Sequence, residues 1–300
     1  EVHPRMVGYN ESDDMLHWEK FQLVLRPDSQ DLAPLMNFLP KRLQSKASEE
    51  AQRVETVFGP GYTVVGPLSL DFYGTGVFRY QEAQDAYFAM LPIYYHYRPS
   101  WPVTADVQLA VSRDGKSFRR VGERQSFLRL GHAGTFASKW VWGLPHPIRM
   151  GNEVWIYYVG TNWDHASRVD SHPGGKQSAV SRAIMRLDGF ISADAGYQGG
   201  WLTTPQMRFD GKRLELNLDT SAGGEALVEI RDREGNPIEG FSRDDSDPLS
   251  GNNVAFPVSW KGSQDTSSLA GKDVSLHFTL RNCKLYAFQF GAEESGFRDG

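Results

Sequence analysis

A strand-like run that ends in an Asp-Gly turn occurs twice in this sequence, as DVQLAVSRDG (106–115) and as SAVSRAIMRLDG (178–189). Each copy follows two further apolar runs that are separated by a short turn. In the first copy these runs are DFYGTGVFRY (71–80) and AYFAMLPIYYHY (86–97), and in the second WVWGLPHPIRM (140–150) and EVWIYYVGTN (153–162). A four-stranded antiparallel unit that recurs at ~70 residues is typical of a propeller blade. The sequence therefore predicts an all-β fold built from blades.

The pattern changes near residue 200. From 203 to 300, short strands alternate with DGK, REGN and AGK turns, which predicts a β-sandwich of the jelly-roll kind. Residues 1–202 would then hold about three blades of a five-bladed propeller. One short helix is expected at PKRLQSKASEEAQRVE (40–55), within an insertion between two β units.

Composition excludes several classes of protein. The chain has 300 residues, 40% of them hydrophobic, a formal net charge of −5 and a single cysteine, Cys283. The absence of a basic stripe argues against nucleic-acid binding, and one cysteine excludes an internal disulfide framework. No apolar run is long enough to span a bilayer, so no membrane partner is expected. The sequence begins at Glu1 without a signal-like region, and localisation stays open, with a periplasmic or extracellular setting favoured.

Two acidic turns mark the ends of predicted strands. Residues 112–118, SRDGKSF, fit the Asp-box pattern Ser-x-Asp-x-Gly-x-Ser/Thr-aromatic, and Ser12-Asp13-Asp14 with Trp18 forms a degenerate copy without the glycine. In such a turn the Asp and Ser side chains bind nearby backbone amides and the glycine takes a positive φ. We interpret both as structural turns rather than catalytic loops. Being turns between strands 3 and 4, they lie on the face opposite to the expected site.

Polar and aromatic residues gather at the other face, where strand 1 begins and strands 2 and 3 are connected. The candidate catalytic residues are Asp71, Asp164 and Asp106. The candidate substrate-binding residues are Tyr73, His96, Arg98, Trp140, Trp142, His146, Trp163 and His165. Sugar hydrolysis needs one carboxylic acid that protonates the leaving oxygen and another that activates water or attacks the anomeric carbon. The alternatives are that the two tryptophans are core residues and that His96 and His146 are structural.

A cofactor is not expected. No Cys/His spacing indicates zinc, and no glycine-rich loop indicates a phosphate site. The three aspartates of SRDDSDP (242–248) are candidate ligands for a structural calcium ion, with a solvated turn as the favoured interpretation.

Several stretches together resemble bacterial proteins of the glycosyl hydrolase family 32/43-like group. They include SDDMLHWEKFQLVL, DFYGTGVF, DVQLAVSRDGKSFRRVG, VWIYYVGTNWDH and GFSRDDSDPLSGNNVAFPVSWKG. The resemblance covers nearly all of the chain and implies a five-bladed propeller followed by a β-sandwich. It also implies two aspartates and a glutamate around the funnel. The motifs WMNDPNG, RDP and EC are absent, so no catalytic role is carried over, and the blade expected to hold the first aspartate would lie upstream of Glu1.

The sequence therefore predicts a glycoside hydrolase, or its C-terminal part, that acts on an oligo- or polysaccharide through carboxylate acid/base chemistry. A non-catalytic carbohydrate-binding protein is the alternative. A sialidase is a third hypothesis, weakened because only Arg98 and Arg168 lie near the expected site. The expected partners are a carbohydrate and another chain or an upstream segment that completes the propeller.

Overall fold

The computed structural model describes residues 5–28, 30–31, 68–97, 104–163 and 175–291, with the backbone alone at 68–69 and 96–97. Apart from two residues at 30–31, the only helices in this part are three short 3-10 turns, at Gln81–Ala83, Gly122–Arg124 and Ser267–Leu269. The fold is all-β, as predicted. None of the described helices is long and apolar enough to cross a membrane. The helix expected at 40–55 lies outside the described residues.

The chain divides into two compact units. The first comprises Glu1–Ile148 and Trp155–Ala183, and the second comprises Arg149–Val154 and Ile184–Gly300.

A two-stranded and a nine-stranded sheet contain the strands from the amino-terminal part of the chain. The two-stranded sheet pairs β1 (Val7–Tyr9) with β2 (Gln22–Leu25). The strands of the larger sheet are β3 (Leu68–Phe72), β4 (Gly76–Tyr80), β5 (Ala86–Tyr97), β6 (Thr104–Ser112), β7 (Arg119–Arg120), β8 (Trp140–Gly143), β9 (Ile148–Met150), β10 (Glu153–Thr161) and β11 (Ser178–Arg186).

The sequence repeat is visible in the strand pairing. In the first copy the long strand β5 pairs with the two short strands β3 and β4, and in the second copy β10 pairs with β8 and β9. Each copy therefore begins with an interrupted strand. β3, β5, β6 and β7 make the antiparallel unit expected of a blade.

The two copies are joined into one sheet. β6 and β8 pair in parallel at Ala105 and Trp140, which gives the order β11-β10-β8-β6-β5-β3. None of the described sheets closes into a barrel. The described strands thus confirm the all-β class, whereas the repeat of a four-stranded blade and a five-bladed ring stay predictions.

Two further sheets lie in the carboxy-terminal part of the chain. One has the order β12 (Ala193–Ala195), β18 (Cys283–Gly291), β14 (Arg213–Asp219) and β16 (Asn252–Pro257), and the other β13 (Gly200–Thr203), β17 (Ser275–Arg281) and β15 (Glu225–Arg231). Alternating residues of β14, β15 and β17 form one shared core, which includes Leu216, Val228 and Phe278. Cys283 is buried at its edge, and burial raises its pKa to about 11.

The segment 193–203 is hydrogen-bonded to the carboxy-terminal sheets, because β12 pairs with β18 and β13 pairs with β17. Such short strands carry too few residues for a clear alternating pattern in the sequence. The division of the chain at residue 203 stays a prediction.

Candidate functional site

A row of residues crosses five strands of the nine-stranded sheet. The pairing registers connect Asp71 to Tyr94, Tyr94 to Ala105, Ala105 to Trp140 and Trp140 to Thr161. Residues that are directly opposite one another in a sheet project from the same face. The row therefore brings Asp71 and Trp140 to one face, although 69 positions separate them in the sequence.

Asp71 is a buried carboxylate that lies beside an exposed arginine. Its side chain is 4% exposed, and its Oδ2 lies 3.4 Å from Nη1 of Arg5, whose side chain is 48% exposed. Arg5 is held there through the backbone, because the amide of Phe72 donates a hydrogen bond of 3.0 Å to the Arg5 carbonyl. The positive charge thus lies between the buried carboxylate and solvent.

Four aromatic rings surround this ion pair. The guanidinium of Arg5 lies over the ring of Tyr73, 4.4 Å from its centroid, and 5.6 Å from that of Tyr94. The Tyr73 ring meets Trp140 at 5.0 Å and Trp142 at 5.9 Å, both edge to face. Tyr94 and Trp140 are buried, while Tyr73 and Trp142 are half-buried. We call Arg5, Asp71, Tyr73, Tyr94, Trp140 and Trp142 the Asp71 corner.

A bulge between β3 and β4 shapes this corner. Residues 73–75 lie opposite residues 91–92 of β5, so the bulged side holds one residue more than its partner. Gly74 has a φ of +111°, and a Cβ there would lie 3.3 Å from the Trp142 ring. The glycine therefore permits both the left-handed backbone and the close approach of the tryptophan.

The TNWDH segment begins beside the same row. Thr161 ends β10 opposite Trp140, and Lys176 Nζ lies 5.5 Å from the centroid of the Trp163 ring. Asn162 is buried; its Nδ2 donates to the Gly175 carbonyl at 3.0 Å, and its Oδ1 accepts from the Gln177 amide at 2.8 Å. Asp164, His165 and Arg98 lie outside the described residues, as does the side chain of His96.

Asp106 does not join the Asp71 corner. It pairs with Ile93, the neighbour of Tyr94, so its side chain projects from the opposite face of the sheet. Its Oδ2 accepts a short hydrogen bond from Ser126, and its Oδ1 is buried with no hydrogen-bond partner among the described residues. Burial raises the pKa of Asp106, and Ser126 opposes that shift.

Near Asp106, two arginines bind the segment that follows β2. Arg120 forms a buried ion pair with Asp31 at 2.6 Å and also donates to Oε1 of Gln108. Arg124 binds both carboxylate oxygens of Asp28, at 2.7 and 2.8 Å. These bonds attach Asp28 and Asp31, which follow β2, to β7 and to the 3-10 turn that follows it.

The two acidic turns have matching hydrogen bonds. Asp114 Oδ1 accepts from the amides of Lys116 and Ser117 at 2.8 and 2.7 Å, and Ser112 Oγ accepts from that of Gly115 at 3.0 Å. In the degenerate copy Asp14 and Ser12 accept from the corresponding amides at 2.8, 2.7 and 2.9 Å. The Ser117 amide holds the pKa of Asp114 well below its usual value, and the His17 side chain, followed by the backbone amides, does the same for Asp14. Both carboxylates are engaged in their own turns.

The remaining candidates are scattered. His146 is exposed in the connection between β8 and β9. In SRDDSDP, Asp245 bonds to Ser242 and Lys261, and Asp247 accepts from Ser259 and the Gly262 amide. Among the described residues, no cluster of three His, Cys, Asp or Glu side chains could hold a metal ion.

Sequence reasoning missed two residues of the corner. Arg5 reaches Asp71 from 66 positions away, and no local pattern marks that contact. Tyr94 lies in a continuous apolar run, and its position on the same face as Asp71 depends on the bulge, which no sequence pattern marks.

Comparisons with known proteins add little to this geometry. No protein-family model and no curated protein matches the chain. Among solved structures it is similar to a glycoside hydrolase family 43 arabinoxylan arabinofuranohydrolase from Bacillus subtilis, solved in complex with cellotetraose, at 10% identity and a TM-score of 0.22. The match covers 73% of this chain and 54% of that one, so the chain spans about half the neighbour's length. A match this distant assigns neither family nor activity.

Proposed function

We propose that the protein is a glycoside hydrolase whose substrate binds at the Asp71 corner. The observation that carries the proposal is the buried carboxylate of Asp71, which lies beside a half-exposed arginine and a group of tyrosine and tryptophan rings. Tryptophan and tyrosine rings stack on the apolar faces of sugars, while carboxylate and guanidinium groups bind hydroxyls through charge-assisted hydrogen bonds.

Hydrolysis requires a second carboxylate across the bond that is cleaved. Asp164 is the proposed partner of Asp71, because the TNWDH segment starts at Thr161, in the same cross-strand row as Asp71. Asp106 is not proposed for this role, since it projects from the other face. Trp163 and His165 would line the substrate from the same segment, together with His96, Arg98 and His146.

A non-catalytic carbohydrate-binding protein is the second candidate. It is favoured by the placement of Asp106, which removes one of the expected carboxylates from the corner. The two candidates share the binding site and differ in whether a product is formed.

We also propose that the two acidic turns are Asp boxes and that the repeated units are propeller blades. A further chain or segment would pack against the amino-terminal strands. Met15, Leu16, Trp18, Phe21 and Leu23 are exposed there, and such a run of exposed apolar side chains is typical of an interface.

The test is a panel of plant and bacterial polysaccharides and their oligosaccharides, incubated with the purified protein. Chromatography of the soluble products and calorimetry of binding are measured in parallel. A hydrolase releases shorter sugars from at least one member of the panel. Binding without products supports the second candidate, and neither binding nor products contradicts both.

A further inference from the structure

The outer face of the three-stranded sheet carries two of the most exposed aromatic side chains in the described part of the chain. Trp201 in β13 is 73% exposed, and Tyr197 in the preceding turn is 72% exposed. Exposed aromatic side chains that occur together on a polar surface are a feature of binding sites. Their neighbours show what kind of ligand would fit.

Strand register defines the composition of this face. Trp201 pairs with Thr279 and Thr203 with His277, while the alternate residues of β17 are buried in the core. Because side chains alternate along a strand, His277, Thr279 and Arg281 project outward beside Trp201. The face thus presents hydroxyl, imidazole and guanidinium groups next to an indole, and Leu227 and Glu229 of β15, which pair with Thr279 and His277, project from the same face.

The Trp201 ring is held in position. It stacks on the imidazole of His277, with 5.7 Å between centroids and 27° between planes. His277 Nδ1 is in turn hydrogen-bonded to Thr203 Oγ1 at 2.7 Å. The stacked His277 supports one side of the indole, and its high exposure leaves the other side to solvent.

Tyr197 is placed at the other end of the same face. The Asn282 and Gly199 amides both donate 2.9 Å hydrogen bonds to the Gly196 carbonyl, which fixes the turn next to β17. The Arg281 guanidinium lies 5.6 Å from the centroid of the Tyr197 ring. The Tyr197 and Trp201 rings therefore lie beside two residues of the same strand, Arg281 and His277.

The charges on this face are balanced. Arg281 donates from Nε and Nη2 to Glu225 Oε1, both at 3.2 Å. Burial lowers the pKa of His277, and the positive charge of Arg231 adds to that effect. The two arginines nearest this strand are each paired with a glutamate, Arg281 with Glu225 and Arg231 with Glu229, so neither presents an unpaired charge.

We propose that this surface, the Trp201 face, binds an uncharged polysaccharide chain. Tyr197, Trp201, Thr203, His277, Thr279 and Arg281 form it. The two exposed rings would stack on sugar units, and the hydroxyl, imidazole and guanidinium groups would bind their hydroxyls. A protein partner would need a larger apolar patch than two rings set among threonines. This second site is independent of the Asp71 corner and would hold a polymeric substrate on the protein.

The experiment is affinity electrophoresis of the full chain through native gels that contain one soluble neutral polysaccharide each: xylan, arabinan, β-glucan or galactomannan. Trp201→Ala and Tyr197→Ala are compared with Ile184→Ala, a control that removes another exposed apolar side chain, 50% exposed. Every protein also carries Asp71→Asn, so that the polymer is not degraded. We expect at least one polysaccharide to retard the parent and Ile184→Ala equally. Trp201→Ala should weaken that binding about tenfold or more, since a few tryptophan and tyrosine side chains usually supply most of the binding energy of a surface.

Several results would overturn the proposal. One is equal retardation of Trp201→Ala and the parent, and another is the absence of retardation by every polymer. Sedimentation that shows a dimer broken by Trp201→Ala would make the face a contact between copies instead. The two sites are distinguished by the turnover of a short soluble oligosaccharide, measured with variants that do not share the Asp71→Asn background. Asp71→Asn alone should abolish this turnover, and Trp201→Ala alone should leave it unchanged. Trp201→Phe, which keeps a ring, should retain most of the retardation, and circular dichroism verifies that each variant is folded.

Discussion

Asp71 and Asp106 belong to one sheet, with a single strand between theirs, and their side chains project from opposite faces. Asp71 pairs with Tyr94, whereas Asp106 pairs with Ile93, the adjacent residue of the same strand. Two carboxylates so arranged cannot flank one glycosidic bond. The chemistry proposed for Asp71 therefore needs a partner from its own face, and the role left for Asp106 is in stability.

The first prediction concerns Asp106 and pH. Burial raises the pKa of Asp106 in the folded protein. The protonated carboxyl therefore stabilises the fold below the unfolded pKa of about 4, and this contribution is lost as pH rises through the pKa of the folded protein. Asp106→Asn should therefore gain stability relative to the wild type as pH rises from 4 to 7, measured by urea unfolding.

Asp28 provides the control of opposite sign. The Arg124 side chain lowers the pKa of this carboxyl, so its contribution is present above pH 4 and lost in acid. Asp28→Asn should lose stability relative to the wild type as pH rises towards 4 from more acidic values, and its relative stability should change little between pH 4 and 7. The interpretation fails if both variants change in the same direction.

The second prediction compares the two acidic turns. Met15 occupies the position of Gly115, with a φ of +63° against +72°. A side chain in that conformation costs about 1 kcal/mol, so Met15→Gly should raise the unfolding free energy by about that amount. Gly115→Ala should lower it by more, because the new Cβ would also lie 3.3 Å from the Tyr87 ring. Chemical denaturation of both variants measures this, and a loss of stability in Met15→Gly would refute it.

The third prediction concerns the ion pair of Asp31 with Arg120. Both side chains are at least 95% buried, at 4% and 5% exposure. Asp31→Asn leaves the buried guanidinium without its charge partner, which should cost about 3–5 kcal/mol. Asp85→Asn, which breaks an exposed pair with Arg79, should cost less than about 1 kcal/mol. Equal effects on the denaturation midpoint would show that the 28–31 segment does not stabilise the sheet.

Local features of the fold followed from the sequence. The SRDGKSF turn depends on side chains and amides within three residues of one another, so its composition was enough to predict its hydrogen bonds. The strand 86–97 also has the predicted bounds, because a long apolar run between polar turns leaves little choice of position.

Features that depend on the pairing register of the strands could not be predicted from the sequence. The turn at 81–85 pairs Tyr80 with Ala86. If that register continued without a bulge, Asp71 would lie opposite Tyr95. The extra residue at the bulge places it opposite Tyr94, which moves it to the other face. Arg5 could not be found either, because its contact with Asp71 depends on a backbone hydrogen bond between distant segments.

The central claim is that Asp71 acts on a bound sugar. Its most direct test is the rate of reducing-end release from a cleaved polysaccharide by the wild type, Asp71→Asn and Asp106→Asn, measured side by side at equal concentrations of folded protein. We predict that Asp71→Asn lowers the rate at least ~100-fold, as the loss of an acid/base group does, while Asp106→Asn stays within about threefold of the wild type. Unchanged turnover in Asp71→Asn, or a larger loss in Asp106→Asn, would contradict the assignment.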